Sequence, residues 1–178
     1  MRLERSDAEL FYQLWLPLLD FVNRKYHVCP DAGRIDNSHG VDACDAKAIA
    51  DYLWSHAGII EEYLSTAKLS DEHAQIVAGW VQCKQGRYVL ERHLKKGSIF
   101  ISAEDGTVYM VKGLFSTWAD MLGEAPVLLD AVLIPFRGSI ISDGLVAPYH
   151  IYFGKGATED FKEVYMNAKR NQTIRFSI

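Results

Sequence analysis

Apolar side chains recur at three- and four-residue steps early in the chain, at Leu10, Phe11, Leu14, Leu18, Phe21 and Val22. That period predicts an amphipathic helix ending near Lys25. Ser6-Asp7-Ala8-Glu9, just ahead of it, has the form of a capping box, in which a hydroxyl and an acid three residues on satisfy free amides of the first turn. Pro17 lies inside the pattern and predicts a kink or break near Leu16, because its ring crowds the preceding turn and it donates no hydrogen bond. The period then vanishes. Residues 27–45, with Pro30, Gly33, Asn37, Ser38 and Gly40, read as a loop, long enough to suggest a part in function. Helical spacing returns over 46–56 behind Asp45 as cap, over 59–67, and over 71–83 behind Ser70, with joints at Ala57-Gly58 and Leu69-Ser70.

Beyond Gln85-Gly86 the pattern becomes alternating. Residues 87–94, 98–102 and 107–114 are rich in β-branched and aromatic side chains, with turns at Lys96-Gly97 and Asp105-Gly106. Residues 116–122 read as a short helix stopped by Gly123. Residues 127–134 are apolar on both faces, as in a strand covered on two sides. Further strands are expected at 139–142 and 149–153, a helix at 158–170 behind Thr158, and a closing strand at 173–176. This order predicts an α+β protein with a helical N-terminal region over 1–83 and a strand-rich region over 84–178, together forming one compact unit. About four helices would pack with a small antiparallel sheet or an OB-like partial barrel that carries a C-terminal helix.

Composition changes this picture little: 178 residues, 49% hydrophobic and 24% charged, can bury a sizeable core. Charge adds more. The net charge of −4 is uneven, since residues 1–83 carry 7 Lys and Arg against 13 Asp and Glu, and residues 84–178 carry 12 against 10. A mildly basic second half keeps polyanions among the partner classes. An odd count of three cysteines and an N-terminus without an apolar leader point to a reduced, cytoplasmic setting. The longest apolar run, Val127 to Phe136 broken by Asp130, is too short for a membrane-spanning helix.

No motif fixes a chemistry. Cys29, Cys44 and Cys83 with His27 or His39 offer zinc-type ligands, but no two of the cysteines share a knuckle, so no metal is expected. Asp31, Asp36, Asp42 and Asp45 crowd one loop without the order of a calcium loop. Gly154-Lys155-Gly156-Ala157-Thr158 is only a fragment of a phosphate loop, and Glu159 and Asp160 would repel a phosphate, so no cofactor is expected either. Asp130 and His150 would form an acid–base pair for a small hydrolase-like enzyme if the fold brought them together. Lys84, Arg87, Arg92, Lys95 and Lys96 cluster within 13 residues, near the rings Tyr88, Phe100 and Tyr109. That combination suits single-stranded nucleic acid over strands 84–112, provided that Arg87, Lys95 and Tyr109 face solvent together. The alternation complicates it, placing Tyr88, Leu90, Arg92 and Leu94 on one face and Arg87, Val89, Glu91, His93 and Lys95 on the other.

The run Leu133-Ile134-Pro135-Phe136-Arg137-Gly138-Ser139-Ile140-Ile141-Ser142-Asp143-Gly144-Leu145, with Arg92 to Lys96 before it and Phe153-Gly154 after it, resembles a C-terminal module of uncharacterised bacterial proteins. There the run is similar to L-L-P-F-x-G-x-I-I-Y-D-G-L, and this chain departs from it with Ser142 in place of the tyrosine. The resemblance covers residues 87–170 and implies a bacterial source and a shared β fold, but no activity. The leading expectation is a non-enzymatic binding or adaptor protein, with another protein as the partner class. Candidate contacts are Arg87, Arg92, Lys95, Lys96, Tyr109, Arg137 and His150.

Overall fold

A computed structural model describes residues 1–36, 38–56 and 58–178, so Asn37 and Ala57 lie outside the described residues. The chain is α+β and divides into two compact units, Glu4–Gln82 and Met1–Leu3 with Cys83–Ile178.

The first unit holds α1 (Arg5–Tyr26), α2 (Ala43–Ser55), α3 (Gly58–Thr66), α4 (Asp71–Gly79) and a 3-10 turn, Trp80–Gln82. Its core is aromatic: Phe11 stacks on Trp15 with centroids 5.6 Å apart and meets Trp80 at 5.5 Å. The expected break at Pro17 is absent, and α1 runs through it. Leu14, Trp15, Leu16, Leu18 and Leu19 are all buried around the proline, and their burial outweighs its cost of about 3 kcal/mol. The capping box does not form. The helix starts at Arg5 behind Glu4, and Glu9 pairs with Arg5 at 2.8 Å instead of turning back to Ser6. Asp45 is not the cap of α2; Asp42 is, accepting the Cys44 amide at 2.8 Å. The long loop is therefore shorter than expected, and side chains of α1 tie it down. Asn23 exchanges hydrogen bonds of 3.0 and 2.8 Å with the Cys29 backbone, and Asp20 accepts the Ile35 amide at 2.9 Å.

The second unit contains β1 (Lys84–Leu94), β2 (Gly97–Ser102), β3 (Val108–Val111), α5 (Trp118–Leu122), β4 (Val127–Phe136), β5 (Ser139–Ile141), β6 (Ala147–Pro148) and α6 (Lys155–Arg170). Neighbouring strands run β1-β2-β3-β5-β4-β6, and β4 also returns to pair with β1. The step from β3 to β5 is a single parallel pair, Val111 with Ile140, so the strands form a partial ring and not a closed barrel. That step also makes the sheet mixed, which fits the partial barrel and not the antiparallel sheet among the two expected forms. Tyr88, Leu90, Phe100, Tyr109, Val111, Leu129, Ala131, Leu133 and Ile140 line the interior with Trp118 of α5. On the outer side Val89, Ile99, Ile101, Val108 and Met110 pack against Tyr165 and Ala168 of α6. Burial on both faces explains why the strand patterns carry so many apolar residues in succession.

β1 contains a bulge. Leu90 pairs with Phe100 but Arg92 pairs with Ile99, so Glu91 is the extra residue. The alternation of side chains reverses there. Arg92 and Leu94 share the α6 side with Val89, and not the side of Leu90 as strict alternation requires. The expected strand at 149–153 is not formed. The Ile151 amide bonds the Tyr149 carbonyl at 2.9 Å, a three-residue turn about His150 that takes the chain off the edge of β4. The terminal segment makes only one bridge, Arg175 beside Tyr109. The last helix starts at Lys155 behind Gly154, four residues earlier than a Thr158 cap requires, and the Thr158 hydroxyl donates to the Gly154 carbonyl at 3.2 Å.

Candidate binding surface

Register places Arg87 of β1 opposite Asp130 of β4, and Asp130 opposite Ala147 of β6. Leu129 and Ala131 on either side of Asp130 point into the ring, so Asp130 points outward. It is half-exposed. One of its oxygens accepts Arg87 Nε at 3.0 Å and the other accepts the Tyr149 hydroxyl at 2.6 Å. The Arg87 guanidinium also lies 4.6 Å from the Tyr149 ring centre and donates to its hydroxyl. The hydrogen bond that each donates to Asp130 pushes the Arg87 and Tyr149 pKa values up, so neither group changes charge near neutrality. This is a strap that ties β1 and β4 to the residue following β6.

Past the strap the chain turns at exposed His150 and presents Ile151 at 48% and Tyr152 at 102% exposure. Phe153 then returns to the protein, its ring edge-on to Phe161 of α6 with centroids 5.0 Å apart. Ile151 and Tyr152 are thus held out between two anchors, Tyr149 and Phe153. Sequence reasoning missed Tyr149, Ile151 and Tyr152, since an alternating apolar run is equally consistent with a covered strand.

The other candidates do not gather at one place. Arg92 bonds Glu91, with one contact at 2.6 Å, and its guanidinium lies 4.4 Å from the centre of the Tyr165 ring, so it fastens α6 and is only partly exposed. Tyr109 is buried at 8% exposure, in edge contact with Tyr88, and Phe100 is fully buried. Tyr88, Phe100 and Tyr109 therefore offer no exposed ring beside Arg87 and Lys95. Lys95 and Lys96 are exposed on the β1–β2 turn. Arg137 sits on the β4–β5 turn, where it and Gly138 adopt φ of 46° and 71°, as a two-residue hairpin turn requires. The registers put that turn and the Lys95–Lys96 turn at opposite ends of the β1–β4 ladder. Asp143 is buried and accepts the Leu145 amide at 3.0 Å, which places it among the turn formers.

Among the described residues no group of three His, Cys, Asp or Glu side chains is placed to hold a metal ion. Burial pushes the Cys83 thiol up to about 11, and Cys44 is exposed. No helix among the described residues is long and apolar enough to cross a membrane. Comparison with known proteins yields no relative: no family model, curated protein or solved structure matches the chain.

Proposed function

We propose that this is a non-enzymatic binding protein of the bacterial cytoplasm that recognises another protein through Ile151 and Tyr152. The observation that carries the reading is the pinning of that pair. Tyr149 is fastened to Asp130 on one side and Phe153 to Phe161 on the other, while the two residues between them stay exposed. Ordering an exposed aromatic in advance lowers the entropic cost of docking, and tyrosine is among the residues that dominate protein interfaces. The bacterial source rests on the resemblance of residues 133–145 to an uncharacterised bacterial module, and the location on the odd cysteine count.

A second reading, single-stranded nucleic-acid binding, is favoured by one observation. Lys95 and Lys96 are exposed on the β1–β2 turn, the kind of loop with which small OB-like barrels hold oligonucleotides. It is weakened by the burial of Tyr88, Phe100 and Tyr109 and by α6 lying over the outer face of β2 and β3. An enzyme built on Asp130 and His150 has less support. Both Asp130 oxygens already carry bonds from Arg87 and Tyr149, which proton transfer would have to disrupt.

The test is site-specific photo-crosslinking in bacterial cells, with the reactive side chain at position 152 or at exposed position 159 of α6 as control. A discrete protein adduct from 152 alone is the expected result. Equal adducts from both positions, or none from 152, contradict it. Anisotropy of labelled single-stranded RNA and DNA decides the second reading: binding that weakens with salt and is lost in Lys95→Glu/Lys96→Glu moves function to the turn.

A further inference from the structure

A second surface of the strand unit, away from Tyr152, is concave. The β2–β3 turn, one side of α6 and the terminal segment enclose a cleft of about 400 Å³ lined by Asp105, Thr107, Val108, Val164, Asn167, Ala168, Asn171, Thr173 and Arg175 among others. That volume is in the range of small-molecule sites. Val108 and Ala168 are buried and give it an apolar floor. Around them stand one carboxylate, one guanidinium and two amides. The carboxylate is fixed in place, since Asp105 accepts the Thr107 amide at 3.0 Å, and such bonds hold its carboxyl below the ordinary range so that it is ionised at neutral pH. The backbone of Arg175 is fixed as well, bonded to Val108 and Met110 at 2.9 Å in both directions.

Asp105 and Arg175 line the same cleft, yet among the described residues no ion pair joins them. Two opposite charges thus line one cleft unpaired. A simple anion would be repelled by Asp105 and a simple cation by Arg175. A ligand carrying both charges on adjacent groups satisfies the two at once, and Arg suits a carboxylate because its donors form a planar fork.

We propose that this cleft binds a free α-amino acid with a small or apolar side chain, its carboxylate on Arg175, its ammonium on Asp105 and its side chain over Val108 and Ala168. Asn167 of α6 and Asn171, which caps that helix, supply further hydrogen bonds to the carboxylate. The proposal is independent of the Tyr152 surface.

The test titrates the full chain, labelled for amide NMR, with L-alanine, L-valine and L-leucine up to about 10 mM, and repeats the titration with N-acetylvaline and valinamide, each lacking one charge. Saturable shifts at residues 105–108, 167–171 and 175 are expected with at least one amino acid. Each blocked form and each of Arg175→Gln and Asp105→Asn should weaken binding at least about tenfold. The blocked ligands keep the test valid if a variant fails to fold. No saturable shift from any of the three, or blocked forms binding as tightly as valine, overturns the proposal.

Discussion

Tyr165→Ala removes the ring on which the Arg92 guanidinium rests and through which α6 closes the outer face of the strands. Tyr165 is only 4% exposed and packs with Val89, Ile99, Ile101, Val108 and Met110. Truncating a buried ring to alanine costs about 3–5 kcal/mol, and losing a partly exposed cation–π contact adds about 0.5–1 kcal/mol. For a unit of this size each kcal/mol moves the melting midpoint by about 4–8 °C, so a drop of at least about 15 °C is expected. Tyr165→Phe keeps the ring and its stacking and should cost less than about 1 kcal/mol. The assay is fluorine NMR of 5-fluorotryptophan-labelled protein during thermal unfolding. Trp118 is the one tryptophan in residues 83–178, so its signal reports on the strand unit, whereas Trp15, Trp54 and Trp80 report on the helices. An unchanged Trp118 midpoint in Tyr165→Ala, or an equal loss in Tyr165→Phe, would refute the role given to the ring.

Gly113→Ala should destabilise by about 2 kcal/mol or more in denaturant titration, because a Cβ there would sit 2.0 Å from the Ser116 carbonyl oxygen. Gly79→Ala, with open space around it at the end of α4, should instead raise stability by about 0.4–1 kcal/mol in the same assay. The Asp36 carboxyl is drawn down to about 2, first by its bond with His39 and then by the Ser38 amide. A value below the unfolded one of about 3.9 stabilises the loop above that pH and is lost as pH falls toward 2. Carboxyl-carbon NMR should show that low midpoint, and His39→Ala should bring it back up; a midpoint near 4 in both proteins contradicts it. Iodoacetamide at neutral pH should alkylate exposed Cys44 well before Cys83, whose thiol burial holds at about 11.

Much of the architecture was legible as pattern. The change of period near residue 85 marks the passage from helices to strands, and the apolar strand at 127–134 buries Leu129, Ala131 and Leu133 on one face and Val132 and Ile134 on the other, with Asp130 half-exposed between them. Ser70 caps α4 as its position suggests, accepting the His73 amide at 3.3 Å. What escaped were features decided by distant partners. Glu9 has two possible uses, and only the placement of Arg5 selects one. The bulge at Glu91 leaves no mark in the residue types, yet it moves Arg92 from the ring side to α6. Tyr109 reads as an available ring until strand pairing turns it inward. The surface proposed for binding was hidden for a similar reason. Asp130 and Tyr149 lie 19 residues apart, and their contact depends on a register that no local pattern encodes.

The most direct test of recognition through Tyr152 is to measure the affinity of the crosslinked partner, once purified, for the unaltered protein, Tyr152→Ala and Lys95→Glu/Lys96→Glu. A central aromatic anchor is worth about 2 kcal/mol or more, so Tyr152→Ala should weaken binding by at least about thirtyfold while the double charge reversal leaves it within about threefold. Affinity unchanged in Tyr152→Ala and lost in the charge reversal would contradict the assignment and move the interface to the β1–β2 turn.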